Sequence, residues 1–447
     1  MGHERHPGTV TGQPAGRVVL WSNSERNNYA CARRGWFAHV EGLRRPETSA
    51  MRYGTLWHLW MEEVHRWWMR RDTTWPDWGI VMCPFCKGTG ARPEDEPKDL
   101  TQSKCSRCEG SGKGVLTRIA EDLAEAARQS QRSGREPVFT DEEAQRVVDT
   151  LSRAVYGWLL KYGADPDPSL EVVAVEQSIA RVVLNPTTGR PYCPETMVVE
   201  EGGELRFAGT SEASKATVVR WPWAQVGRLD AVFRHRRTKV LFVGEWKSSQ
   251  DPAGMVDGVL LDPQTSGYGW MLEPLVGLFG GSRVVGILYD VASSAYQRDP
   301  EPLKGRPTKA EPNPPLAFSQ AKATTVPSWR YREALIAAGV DQAPYEDHID
   351  YLTQHVDPRL YLREFPTLGR YDLDRYAAEA FAVVQRLSTG RRDAARATSE
   401  RDIDVAFPRT PLCRLPGGSC PFRGPCMADG PEVRESFDLS REQRWAP

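Results

Sequence analysis

The chain has 447 residues, more than one compact core usually holds, so two or three units are expected. With 40% hydrophobic residues and a formal net charge of −1, the composition is that of a soluble globular protein and excludes a polycation. A site for nucleic acid must therefore be a local basic groove rather than a global field.

The first unit, residues 1–77, opens on a loose polar leader over 1–20. Its start, MGHERHPGTV, lacks the apolar region of a signal peptide. His6 stands where a myristoylation signal needs Ser or Thr. No apolar run reaches membrane-span length. The expectation is an intracellular, cytoplasmic protein, in which nine cysteines point to metals before disulfides. Residues 24–71 read as helical, with a dense aromatic stripe in GTLWHLWMEEVHRWWMRR.

Residues 78–115 are glycine-rich and carry CPFCKGTG and CSRCEGSG, two copies of Cys-x-x-Cys-x-Gly-x-Gly. Two such knuckles make one tetrahedral zinc site from Cys83, Cys86, Cys105 and Cys108. The module is similar to the zinc repeats of DnaJ-type chaperones, but it has fewer copies and no J-domain signature accompanies it. It reads as a small zinc-ribbon insertion that offers a docking surface. GSGKG is not a phosphate loop, because Arg107 and Gly114 stand where Gly and Ser/Thr are needed.

Residues 116–170 return to a helical pattern, with Asp141 at the start of one helix and Gly163 at its stop. From 171 to 295 the texture is that of strands: SLEVVAVEQSIARVVL, the hairpin GRLDAVFRHRRTKVLFVGEWKSS and SRVVGILYDVA. Between the last two lies DPQTSGYGWMLEPLVGLF, a helix capped by Asp262, begun by Pro263 and ended or kinked by Pro274. Strand, hairpin, helix, strand implies an α/β core, a mixed central sheet flanked by helices. Residues 296–404 hold a Pro-rich surface loop to about 328 and then helices at 328–356 and 371–389, the second closed by Gly390. The tail, 405–447, is irregular and carries three cysteines.

The hairpin holds the chemistry. In a strand, residues two apart share a face, so Glu245 and Lys247 point together while Trp246 points away. A turn centred on Arg236–Arg237 sets Asp230 opposite Val243 and diagonal to Glu245. Two carboxylates at a buried strand end repel unless a cation holds them. Lys247 offsets one charge, and Mg²⁺ or Mn²⁺ would offset the rest. The alternative is a surface strand end with a salt bridge.

These pieces together resemble the PD-(D/E)XK nuclease superfamily, in particular its RecB-like branch of AddB-type, CRISPR-adaptation and phage exonucleases. GRLDAV is similar to the metal-binding Asp strand, GEWKSS to the Glu-x-Lys strand and QTSGYGWML to the Gln-x-x-x-Tyr helix, matched by Gln264 and Tyr268. GTLWH resembles the Gly-x-x-x-His segment and makes His58 a further metal ligand. NNYACARRGWF resembles the segment with the lone N-terminal cluster cysteine, here Cys31. The resemblance implies a restriction-endonuclease-like core over 171–295. It also implies a metal touched by the Trp246 carbonyl, and a 4Fe-4S cluster on Cys31, Cys413, Cys420 and Cys426. The Cys413–Cys420 gap is longer than the family's usual Cys-x-x-Cys. A second zinc site and reduced thiols are the alternatives for that set, and Cys193 is left over as an ordinary thiol.

The function expected is a DNA nuclease, an exonuclease or end-processing enzyme of a prokaryote or phage, in recombination, repair, replication or defence. Lys247 positions the attacking water, and Gln264 and Tyr268 steer the strand. Arg234, Arg236 and Arg237 are phosphate contacts or a solvated turn. Glu176 is an accessory acid or, preferably, a solvated strand residue. Most of the tryptophans near 57–78 are assigned to a helix core rather than to base stacking. No Walker segment is present, so a helicase, annealing protein or other partner would be a separate chain. A non-catalytic nucleic-acid scaffold that recruits a partner through its zinc module is one alternative, and a chaperone-like zinc protein is another.

Overall fold

The computed structural model describes residues 19–22, 34, 38, 43–44, 49–69, 141–163, 169–193, 197–199, 205–207, 218–219, 222–259, 262–303, 317–321, 326–395, 414–415, 418–419 and 438–439. Six strands form one mixed sheet: β1 (Val19–Ser22), β2 (Leu170–Val182), β3 (Trp223–His235), β4 (Leu241–Ser249), β5 (Val284–Ser293) and β6 (Tyr361–Glu364). These runs are rich in Val, Ile, Leu and aromatics, which suit a pleated buried surface.

β3 is the hub. β2 runs antiparallel along the whole of one edge, from Val182 opposite Ala224 to Leu170 opposite His235. The other edge is shared: β1 pairs parallel with residues 223–226, and β4 pairs antiparallel with residues 231–234. β5 lies parallel to β4, and β6 closes that side antiparallel to β5. The sheet thus draws β1 and β6 from outside residues 171–295.

Helices cover both faces. On one face α1 (Ser49–Met69) and α2 (Asp141–Trp158) pack with α5 (Ser328–Ala337) and α6 (Glu346–His355); α3 is the short Pro252–Asp257 helix and α4 is Pro263–Leu272. The other face carries α4 and α7 (Arg370–Ala395). Leu56, Trp57, Trp60, Met61, Val64 and Trp68 form the apolar stripe of α1, all buried at helical spacing. Those tryptophans are core, as the sequence reading preferred. Along the hairpin the faces alternate: Ala231, Phe233 and Trp246 join the α1 side, while Val232, Leu241 and Val243 join the α4 side.

The caps of α4 follow the sequence. Asp262 accepts the Gln264 N–H at 2.8 Å, Pro263 fills the first turn, and Pro274 falls in a 3₁₀ segment (Glu273–Phe279) that follows Leu272.

Four expectations are corrected. The stretch 24–71 is not helical throughout, since Leu43–Arg44 pairs antiparallel with Asp438–Leu439. The strand β1 starts inside the expected leader, at Val19. Pro302–Leu303 and Ala317–Phe318 form a small ladder within the Pro-rich loop. Finally, α7 runs past Gly390 to Ala395; one buried glycine costs a helix only about 1 kcal/mol, and the residues after it are good helix formers.

Among the described residues no helix is long and apolar enough to cross a membrane.

Candidate active site

The shared edge of β3 creates the site. β1 releases the edge after Val226 and β4 takes it up at Ala231, so residues 227–230 lie at a fork that neither strand covers. Asp230 stands at the crotch. Its Oδ2 accepts the Trp246 backbone N–H at 3.0 Å, a side chain replacing the ladder bond that the divergence removes.

The register here differs from the expected one. Val232, not Asp230, lies opposite Val243, and Ala231 lies opposite Gly244. Asp230 lies one residue beyond the last paired position of this ladder, and Glu245 one residue beyond its partner. The tight two-residue turn would need a positive φ at both Arg236 and Arg237. The chain instead makes a longer loop, closed by the His235 N–H to the Val240 carbonyl (2.9 Å) and by the Lys239 N–H to the His235 carbonyl (2.9 Å). Lys239 alone takes the left-handed conformation, with φ 59°. Arg234, Arg236 and Lys239 at this end all gather on Glu171, four strand residues or more from Glu245.

Glu245 is buried, and Lys247, its expected charge partner, reaches it, as does Gln264. The Lys247 ammonium bonds its Oε1, and the Gln264 amide donates to the same oxygen at 3.1 Å. Gln264 also donates to the Tyr268 hydroxyl at 2.8 Å. One turn apart on α4, these two side chains share a face, as expected. Tyr268 lies against Gly227, where a Cβ would sit 2.6 Å from Met271 Cε and 2.9 Å from the Tyr268 ring. That glycine lets α4 approach the fork. Trp246 points to the other face, fully buried, with its indole stacked on His65 at 4.1 Å between centroids.

From α1, His58 sets Nδ1 3.4 Å from Asp230 Oδ1. From β2 comes Glu176, which is not the solvated strand residue that the sequence favours. Val175 pairs with Ala231 and Gln177 with Leu229, so Glu176 falls across from Asp230. Its side chain is 8% exposed and ion-paired with Arg228, not solvated. Its φ of 52° is left-handed, a conformation that costs a non-glycine residue about 1–3 kcal/mol and gathers at functional sites. His58, Glu176 and Asp230 offer ligand atoms within 4.8 Å of one another.

The electrostatics follow from burial beside like charges. Burial pushes Glu245 up to about 7 despite the pull of Lys247. Burial and the adjacent Asp230 push Glu176 up to about 7 as well. Burial alone would depress Lys247, but Glu245 and Asp230 outweigh it and raise the ammonium above the ordinary lysine range. For His58 too, burial works downward and Asp230 prevails, giving a net rise. Tyr268 is raised by burial and by Glu245.

This donor set fits a hard divalent cation. Glu245 Oε2 is buried with no hydrogen-bond partner among the described residues, an open acceptor outside the His58, Glu176 and Asp230 group. The donors are mainly carboxylate oxygens, which Mg²⁺ and Mn²⁺ prefer, with the His58 imidazole a softer donor at the margin. Crowded, half-neutralised acids of this kind are suited to holding a metal against a phosphate ester. The cysteines assigned to zinc (Cys83, Cys86, Cys105, Cys108) and to iron–sulfur (Cys31, Cys413, Cys420, Cys426) lie outside the described residues.

Two comparisons bear on the site. A family model described as the PD-(D/E)XK nuclease superfamily matches residues 20–427. No curated protein matches the chain.

Proposed function

The chain belongs to the PD-(D/E)XK nuclease superfamily, and from that premise we propose that it is a metal-dependent deoxyribonuclease of RecB-like type, acting at DNA ends. The observation that carries this reading is the convergence of Asp230, Glu245 and Lys247 at the fork, with Glu245 Oε2 left open.

Asp230 and Glu245 hold the cation in this reading, assisted by His58, Glu176 and the Trp246 carbonyl. A divalent ion bound there supplies Lewis-acid polarisation of the scissile phosphate and eases deprotonation of water. Lys247 orients the attacking water and offsets the charge that develops on the phosphate oxygens. A P–O bond forms to the water oxygen as the bond to the leaving sugar oxygen breaks; the water gives up one proton to solvent and the leaving oxygen takes one up, so the step is balanced. The Gln264 amide fixes the Glu245 carboxylate, and with Tyr268 it lies where the strand must pass. The test is degradation of 5′- and 3′-labelled single and double strands in Mg²⁺ or Mn²⁺ against EDTA. Metal-dependent release of short products supports the reading; intact substrate in every metal overturns it.

Glu176 and Glu245 also make the metal dependence of stability readable. Their folded-state values of about 7 lie above the ordinary 4.5. The stability they contribute is present below about 4.5 and is lost as pH rises through 7. A cation that replaces those protons restores it. Mn²⁺ is therefore expected to raise the melting temperature more at pH 8 than at pH 6, as measured by calorimetry in matched buffers.

The cysteine sets belong to the same proposal, as a structural zinc module and a 4Fe-4S cluster that ties the chain ends. Protein purified without oxygen is expected to carry about one zinc and about four irons per chain, with the absorption of a cluster. Iron-free protein that is folded and active removes the cluster.

A further inference from the structure

The geometry points to Arg228 as a phosphate-binding residue, parked on Glu176 in the free protein and released to the nucleic-acid strand when one enters the fork. The inference rests on the nuclease reading and deepens it.

Arg228 lies two residues before Asp230, within the uncovered stretch 227–230 of β3. Its side chain is 61% exposed, while the carboxylate it touches is 8% exposed. Only Nε faces Glu176 Oε2, and no other polar contact engages the guanidinium among the described residues. The outer N–H groups of a planar fork that matches a phosphate are thus presented to solvent at the mouth of the site.

Among the described residues, the other cations near the acids are committed. Lys247 is 22% exposed and bound to Glu245. Arg66 is 28% exposed and bound to Glu62. Arg181 lies over the Trp270 ring and donates to its carbonyl. The hairpin cations share Glu171 at the far end of the strand pair. Among the described residues near the site, Arg228 is the cation whose guanidinium is mostly exposed.

Its partner gives the arrangement direction. Glu176 faces His58 and Asp230 in the ligand cluster, so a cation taking that corner competes with Arg228 for the same carboxylate. A phosphate offers the displaced guanidinium a new anion. Strand binding and metal binding at the Glu176 corner are then mutually favourable, each removing the obstacle to the other.

The experiment is fluorescence anisotropy with a short fluorescein-labelled single-stranded DNA, in EDTA so that nothing is cleaved, over a series of salt concentrations. Arg228→Gln should weaken binding roughly fivefold to tenfold at low salt and lower the salt slope by about 0.7. Arg228→Lys should recover the slope but only part of the affinity. Glu176→Gln, which frees Arg228, should bind more tightly than wild type. Wild-type affinity and slope in Arg228→Gln would reduce Arg228 to a counter-ion for Glu176. A Glu176→Gln protein no tighter than wild type would overturn the parking. A wild type that cleaves DNA in Mn²⁺ while Arg228→Gln binds normally sinks this inference alone; a wild type that cleaves nothing sinks the nuclease reading.

Discussion

Asp230→Asn is expected to lower metal-dependent cleavage by about 10³-fold or more while the protein stays folded. The amide oxygen can still accept the Trp246 N–H, so the crotch of the fork keeps its shape. What is lost is the negative charge shared between the Glu245 and His58 sides of the site. The deficit should appear in single-turnover rates, and the rise in melting temperature on adding Mn²⁺ should shrink with it. An Asn variant that cleaves at the wild-type rate would take Asp230 out of the chemistry.

Lys247→Met carries the second large effect, a loss of about 10²–10³-fold in rate with a change in pH dependence. Lys247 holds Glu245 down against burial. Without the ammonium, Glu245 must rise further above about 7 and stay protonated at neutral pH. A carboxyl with a raised folded-state value contributes stability that is lost as pH rises through that value. The window of loss therefore extends upward: wild type levels off above about 7, while the variant should go on losing metal-free stability as pH rises further. Metal binding should weaken near pH 7 and recover as pH rises. Melting curves and Mn²⁺ titrations between pH 6 and 9 separate this from a plain packing defect, which would lower stability evenly across the range.

Much of this arrangement was legible in the chain, because its signals are local. The cap of α4 needs only Asp262 and Pro263, and the shared face of Gln264 and Tyr268 follows from their spacing. The common face of Glu245 and Lys247 follows from strand alternation. Glu176 was not legible, because its place depends on a register between distant strands. The pairing of β2 with β3 shifts between Val172 and Ala174, and only with that shift does Glu176 face Asp230. Its one sequence signal is a charged residue inside a β-branched run, VAVEQS, which equally describes a solvated strand position. The strand β1 joins β3 from some 200 residues away by an edge pairing that no local pattern encodes. The hairpin register differs by two residues from that of a turn centred on Arg236–Arg237, because the loop runs on to a left-handed Lys239.

The central claim is that a divalent ion is gripped between Asp230 and Glu245. Its most direct test is anomalous scattering from a Mn²⁺-soaked crystal of the full chain. The account predicts a peak within about 2.2 Å of a carboxylate oxygen from each residue, with the Lys247 ammonium beside it and absent from Asp230→Asn crystals. Full occupancy elsewhere, with Glu245 Oε2 still unligated, would contradict it.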